Sequence, residues 1–289
     1  MIIKNKNLNQ KIFVAGHNGM VGSAILRKLL SEGYTNILTI EKKDLNLFDT
    51  NKVFEFLKNE MPEIIFLAAA KVGGIYTNDM HQAEFLYNNL IIQNNVIMGA
   101  ASAGLKNLFF LGSSCIYPKE SFQPIKEEYL LTGPLEKTNE GYAIAKIAGL
   151  KLCSYLFKEH KKDFITIMPT NLYGPHDNYD LETSHVLAAL IKKITYAKEN
   201  KKESVEIWGT GKPKRDFLHV DDLADAVCFL AENYSSSEPI NVGSSKEISI
   251  KELAETIAKL VGWNGSFLYN KGMPDGTMLK RLDTTKVNK

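Results

Sequence analysis

Tyr142 and Lys146, four residues apart in the run YAIAK, carry the first chemical signal in this 289-residue chain. On a helix, that spacing puts the phenol and the ammonium on one face, a turn apart. A cation beside a phenol stabilises its phenolate, so such a tyrosine can donate and accept a proton near neutral pH. Tyrosine and lysine share helix faces often by chance, and the pair gains meaning from Ser113 and Ser114. Both close the apolar run LFFL and could hold a carbonyl oxygen beside the phenol.

A second pattern, Gly16-His17-Asn18-Gly19-Met20-Val21-Gly22, stands between the apolar run KIFVA and a segment whose Ala24, Ile25, Leu29 and Leu30 share a helical face. Between a strand and a helix, the first two glycines permit a tight turn and close approach to a pyrophosphate. The third lets the helix pack against the sheet. The helix N-terminus adds free N–H groups and a favourable dipole. A glycine-rich turn without a ligand is the weaker reading in this context. Glu41-Lys42-Lys43 then ends the second strand, where an acid bonds ribose hydroxyls (NAD) and a base accommodates a 2′-phosphate (NADP). The residues alone leave that choice open, and a solvated charged turn is the bland alternative.

The elements that must position these residues alternate. Buried strands are expected at 36–40, 64–70 and 108–114, with helices over VFEFLKNEM, 81–104 and 142–160 and a further strand through DFITIMPTNLYG. The alternation predicts an α/β, Rossmann-type doubly wound parallel sheet with right-handed crossovers. Residues 1–175 are read as the nucleotide domain and 176–289 as a smaller mixed α/β lobe interwoven with it. In that lobe, Ser249 and Glu252 have the spacing of a capping box for a helix ending near 262. The last residues, RLDTTKVNK, end without a packed helix or stop signal, the ending expected of a truncated chain.

Composition narrows the class. An apolar share of 44%, a charged share of 24% and a net charge of +2 describe an ordinary globular protein and argue against nucleic-acid or membrane partners. No basic run interleaves with aromatics. Three scattered cysteines and six histidines show no metal-ligand spacing, so no metal is expected. The start, MIIKNKNLNQ, lacks a signal peptide's apolar core, and the apolar runs are too short to span a bilayer. A cytoplasmic protein is expected.

The segments AGHNGMVGSAI, LAAAKVGGI, FLGSSCIYP, YAIAKIAGLKLC, MPTNLYGPHDN, SHVLAAL, RDFLHVDD and NVGSS follow one another through nearly the whole chain. Together they resemble the extended, sugar-nucleotide branch of the short-chain dehydrogenase/reductase superfamily. Within it they resemble the GDP-L-fucose synthases, which epimerise GDP-4-keto-6-deoxy-D-mannose at C3 and C5 and reduce it at C4. The resemblance implies that Cys115 removes the C3 and C5 protons and His185 returns one on the opposite face. Ser113 and Tyr142 would hold the C4 oxygen, with Lys146 lowering the phenol's pKa. From the residues alone, a buried cysteine and a satisfied histidine would be the readier readings of Cys115 and His185.

The resemblance further implies NADP(H), with Lys42 at the 2′-phosphate; Asn18 departs from the pattern, standing where such relatives can carry arginine. Leu111, Gly112, Ser114, Pro169, Thr170, Asn171, Leu172 and His185 would line the cofactor beside the glycine loop and Lys146. Lys193, Trp208, Arg215 and Asp283 would hold the GDP-sugar, against the plainer readings of a solvated lysine and a core tryptophan. Cys153 and Cys228 read as structural, and His176 and His219 receive no role. A homodimer through the helices at 81–104 and 142–160 is implied. Two rivals remain: a sister enzyme acting on a dideoxy or heptose GDP-4-keto sugar, and a non-catalytic NADP-binding protein.

Overall fold

Ile12 and Val14 of β1 (Ile12–Ala15) face one side of the central sheet, and Phe13 and Ala15 the other. This is the two-residue period of a strand buried on both faces. The computed structural model describes residues 7–273 and 275–289. The first six residues of the polar start, read above for the absence of a leader, lie outside the described residues.

After β1 come α1 (Met20–Ser31), β2 (Ile37–Leu38), α2 (Thr50–Glu60), β3 (Ile64–Leu67), α3 (Ile75–Met80), α4 (Gln82–Ser102) and β4 (Asn107–Leu111). A long loop leads to α5 (Glu140–His160), β5 (Asp163–Pro169) and β6 (Asn171–Tyr173). The chain continues through α6 (Val186–Glu199), β7 (Ser204–Trp208), β8 (Lys214–His219), α7 (Val220–Asn233) and β9 (Ile240–Val242). It closes with β10 (Glu247–Ser249), α8 (Ile250–Val261), β11 (Ser266–Asn270) and β12 (Leu279–Lys280).

Six strands form one parallel sheet in the order β2-β1-β3-β4-β5-β9. Ile25 and Leu29 of α1 and Leu223 and Val227 of α7 cover the face of Ile12, Phe66 and Phe109. Leu57 of α2, Ile97 of α4 and Leu156 of α5 cover the face of Phe13, Ile65 and Phe110. This is the expected doubly wound Rossmann-type sheet. Chains leaving β1 and β3 depart toward opposite faces, which opens a crevice at the carboxyl edge between them.

Several strands are shorter than expected; the one at 64–70 ends at Leu67. At 36–40 only Ile37 and Leu38 pair, and both are half-buried. β2 is the sheet's margin and has a single neighbour, so the chain beyond it turns into a loop at Glu41. The run at 108–114 stops as a strand at Leu111 because Ser113 accepts a hydrogen bond from Cys115 N (3.2 Å) and opens a tight turn.

In the second lobe, β8 lies between β10 and β12 and also pairs with β6, while β7 pairs with β11. Leu190 and Ile194 of α6 and Leu253 and Ile257 of α8 pack over Val205 and Ile207. The expected capping box is present: Glu252 N donates to Ser249 Oγ (3.1 Å) and Ser249 N to Glu252 Oε2 (2.9 Å). Between these elements, α7 and β9 return to the large sheet and complete its core. Among the described residues no helix is long and apolar enough to cross a membrane.

Asn241, fully buried in β9, ties that returning strand to the loop after β4. Its Oδ1 accepts from Tyr117 Oη (2.7 Å), and its Nδ2 donates to Ile125 O (3.0 Å). Tyr117→Phe should therefore strand a buried amide oxygen, at a cost of about 1–3 kcal/mol. Thermal denaturation checks this, and a variant melting with the wild type would contradict it.

Candidate active site

The glycine loop is shaped by close backbone approach. Gly16 has φ +91°, and a Cβ there would lie 2.7 Å from Ala69 N. A Cβ on Gly22 would lie 2.1 Å from Gly16 O, so the third glycine lets α1 start against the loop. Gly19 is different, since its Cβ would meet only Gly16 O at 3.5 Å. Gly19 is also the N-cap of α1 and offers no side chain to the helix, which leaves first-turn N–H groups for a ligand. The cradle fits a dinucleotide pyrophosphate. Met20 and Val21 turn away from it and pack on the core.

Glu41 folds back onto this loop. Asn18 Nδ2 donates to its Oε2 (3.0 Å) and Oε1 (3.2 Å), and His17 Nε2 lies 3.4 Å from Oε1. Those bonds, Asn18's first, hold the Glu41 carboxyl below its ordinary pKa. Lys42 is exposed.

The other expected cofactor residues lie in the turns that follow β4 and β5. Leu111 ends β4, and a Cβ on Gly112 would lie 2.4 Å from Met168 Sδ. Ser114 is buried. Pro169 closes β5, and Leu172 packs against the core. Thr170 Oγ1 (3.1 Å) and Asn171 Nδ2 (2.9 Å) both donate to Asp216 O, which pins this turn to β8.

The reaction centre forms where α5 crosses the end of β4. Lys146 is only 3% exposed; its Nζ donates to Leu111 O (2.7 Å) and lies 4.6 Å from the Phe110 ring centroid and 5.8 Å from that of Tyr142. Burial lowers its pKa to about 7, with the nearby Cys115 opposing. Tyr142 moves the other way. Burial raises the phenol's pKa, the Cys115 charge adds to the rise, and a hydrogen bond with Ser113 opposes it. The rise comes from burial and Cys115, while the Lys146 ammonium donates to the Leu111 carbonyl. Burial acts against the charged form of both groups.

Cys115 is half-buried beside this pair, and Lys280 Nζ lies 3.7 Å from its sulfur. Sequence reasoning missed Lys280. β12 brings it there by pairing with β8, with Lys280 in register with Arg215. His185, the N-cap of α6, is exposed, and its pKa is pushed down by desolvation of the ring; Asp177 opposes this and the Lys280 charge adds to it. The same ammonium thus acts on both residues assigned to proton transfer. The other two thiols are inert by burial, with Cys153 and Cys228 each raised to about 12.

A wall for a larger ligand extends away from Cys115. Arg215 Nη1 donates to Lys214 O (2.8 Å) and Nη2 reaches Asp275 O (3.4 Å). A Cβ on Gly276 would lie 3.4 Å from both Arg215 Nη2 and Ile75 Cδ1, which places α3 against this corner. The next residue, Tyr76, meets Trp208 edge to face at 6.5 Å, and Lys193 Nζ lies 5.2 Å over the same indole. Tyr76 is a second residue missed from sequence. Asp283 is engaged locally: its Oδ1 accepts from Thr285 N (2.8 Å) and its own N donates to Ile125 O (2.8 Å). His219 caps α7 by accepting from Asp221 N (3.2 Å). Among the described residues no group of His, Cys, Asp or Glu could hold a metal ion.

Comparison with known proteins adds a lineage to this geometry. The NAD dependent epimerase/dehydratase family matches residues 12–243. GDP-L-fucose synthase 1 of Arabidopsis thaliana is 52% identical over 277 residues, covering 96% of this chain and 86% of that protein. GDP-L-fucose synthase of Escherichia coli (strain K12) is 45% identical over 288 residues, covering 96% and 90%. A solved GDP-mannoheptose C4 reductase from Campylobacter jejuni, with NADP bound, superposes with a TM-score of 0.89 at 36% identity over 98% of this chain and 93% of that one.

The buried ammonium has a consequence for stability. Below about pH 7 folded and unfolded chains both carry the Lys146 charge, and its burial cost is present in full. Between about 7 and the ordinary 10.5 only the unfolded chain keeps the proton, so stability rises with pH through that window. Lys146→Met should melt above the wild type at pH 6.5, and its advantage should shrink by on the order of 3 kcal/mol toward pH 10. Melting curves at the two pH values measure this, and an advantage independent of pH would contradict it.

Proposed function

The chain belongs to the NAD dependent epimerase/dehydratase family and stands among its GDP-L-fucose synthases, and from that membership we propose that it converts GDP-4-keto-6-deoxy-D-mannose into GDP-L-fucose with NADPH. The observation that carries this reading is the convergence of Ser113, Cys115, Tyr142, Lys146 and Lys280 in one cleft. A plain reductase has use for the serine, tyrosine and lysine. The thiol with an ammonium at its sulfur suits the deprotonation of carbon acids as well.

The chemistry follows from these placements. The C4 ketone acidifies the protons on C3 and C5, and Cys115 removes them as a thiolate beside the Lys280 ammonium. The enolate oxygen at C4 is held by Ser113 and Tyr142. His185, an imidazole able to relay a proton, completes inversion from the opposite face. NADP(H), held by the glycine loop and the turns after β4 and β5, supplies the hydride for C4 when bound. Tyr142, beside Ser113 at the C4 oxygen, delivers its proton there as the alcohol forms. Lys146 orients the phenol from α5. Arg215 meets the diphosphate with its planar fork, and Trp208, Tyr76 and Lys193 cover the base or sugar.

The enzyme is also read as a cytoplasmic homodimer. Tyr87 and Met98 of α4 and Ile144 and Tyr155 of α5 are exposed, a support for pairing through these two helices.

Incubation with GDP-4-keto-6-deoxy-D-mannose and NADPH in deuterated water tests the proposal by NMR of the product. Deuterium at both C3 and C5 of GDP-L-fucose is the expected result. Label at one centre would point to a sister enzyme, and NADPH oxidation without label would remove Cys115 and His185 from their roles. Cys115→Ser should slow the exchange at both carbons by roughly 100-fold or more. Lys280→Met should slow it as well while hydride transfer to an already epimerised keto sugar is spared; an unchanged exchange rate would contradict the assignment of Lys280.

A further inference from the structure

The cofactor loop contains an interaction that the proposed NADPH chemistry does not use. Glu41 follows β2, the strand whose end meets the adenosine ribose in dinucleotide-binding sheets. Its carboxylate takes two hydrogen bonds from Asn18 Nδ2 at 3.0 and 3.2 Å and approaches His17 Nε2 at 3.4 Å. Asn18 and His17 belong to the glycine loop itself, between Gly16 and Gly19. The acid is therefore fixed on the loop, where a ribose diol finds an acceptor and a 2′-phosphate meets a like charge. Its pKa is held below the ordinary value, so the charge is present at neutral pH.

The counter-charges are nearby but uncommitted. Lys42 and Lys43 adjoin Glu41 in sequence and are both exposed. Lys43 acts on Glu41 by charge alone, after the Asn18 and His17 bonds. The strand end thus presents one anchored anion and two free cations. An anchored group costs little entropy to use as it stands, whereas an exposed lysine must be ordered before it can bind a phosphate.

We propose that Glu41, clamped by Asn18, is a specificity residue that lets this enzyme use NADH beside NADPH. NADH finds the acid already placed for the ribose hydroxyls. NADPH binds with the Asn18–Glu41 contact displaced and Lys42 or Lys43 brought to the phosphate. Discrimination between the two coenzymes is consequently shallow, and the charge on Glu41 sets it. This inference rests on the cofactor assignment made above.

The test is a fluorescence titration of the purified protein with NADPH and with NADH, in the absence of any sugar, followed by kcat/KM for each coenzyme. The wild type should bind the two within about tenfold of each other. Glu41→Gln keeps the side chain's shape and its contact with Asn18 but removes the charge. It should tighten NADPH by about tenfold and leave NADH level or weaker. Because Glu41 is exposed, the variant is expected to fold, and an unchanged melting temperature confirms that it has. A wild type that prefers NADPH by a thousandfold, or a Glu41→Gln protein with an unaltered affinity ratio, would overturn the inference while leaving the cofactor assignment intact. Failure to bind either coenzyme would overturn both.

Discussion

The donation from Lys146 Nζ to Leu111 O joins the chemistry of this protein to its sheet. It holds α5 over the end of β4, where Ser113, Cys115 and Tyr142 meet. Close approach is built in. A Cβ on Gly149 would lie 2.7 Å from the Phe110 ring, so the helix can sit directly on the strand. Gln93 of α4, itself buried, donates to Ala145 O (2.6 Å) and clamps the helix from behind. An ammonium with so little water is a liability to stability, and such liabilities concentrate where a shifted pKa has a use. Here the burial that lowers Lys146 also raises the Tyr142 phenol.

The cleft is otherwise organised by two further cations on neighbouring strands. Lys280 and Arg215 stand in register on β12 and β8, and both are within charge reach of Cys115. The arrangement gives a thiol a counter-charge without burying an ion pair, and it leaves the guanidinium facing the wall where a diphosphate is expected. Long-range positioning of this kind depends on the second lobe docking correctly. Thr170 and Asn171 secure it by donating together to the Asp216 carbonyl.

Much of this was legible in the sequence because it is local. Three glycines between a strand and a helix, a tyrosine and a lysine four apart, and a serine three residues before a glutamate each specify geometry within a turn or two. The alternating apolar strands likewise predicted the covered parallel sheet. What escaped depends on distant contacts. Lys280 reaches Cys115 across 165 residues through a two-residue strand. Tyr76 meets Trp208 only because α3 leans on the second lobe. The return of α7 and β9 to the large sheet has no local signature, and neither does the direction in which Glu41 points. Spacing likewise shows that Tyr142 and Lys146 are near each other but not how burial acts on each.

The central claim is that one cleft performs two separable chemistries, with Cys115 moving carbon-bound protons and Tyr142 finishing the reduction. Tyr142→Phe incubated with GDP-4-keto-6-deoxy-D-mannose and NADPH in deuterated water, with sugar labelling and NADPH oxidation followed together, tests it most directly. The account predicts continued deuterium entry at C3 and C5 of the recovered keto sugar, while NADPH oxidation falls by about 100-fold or more. Reduction persisting near the wild-type rate, or exchange and reduction vanishing in equal proportion, would contradict it.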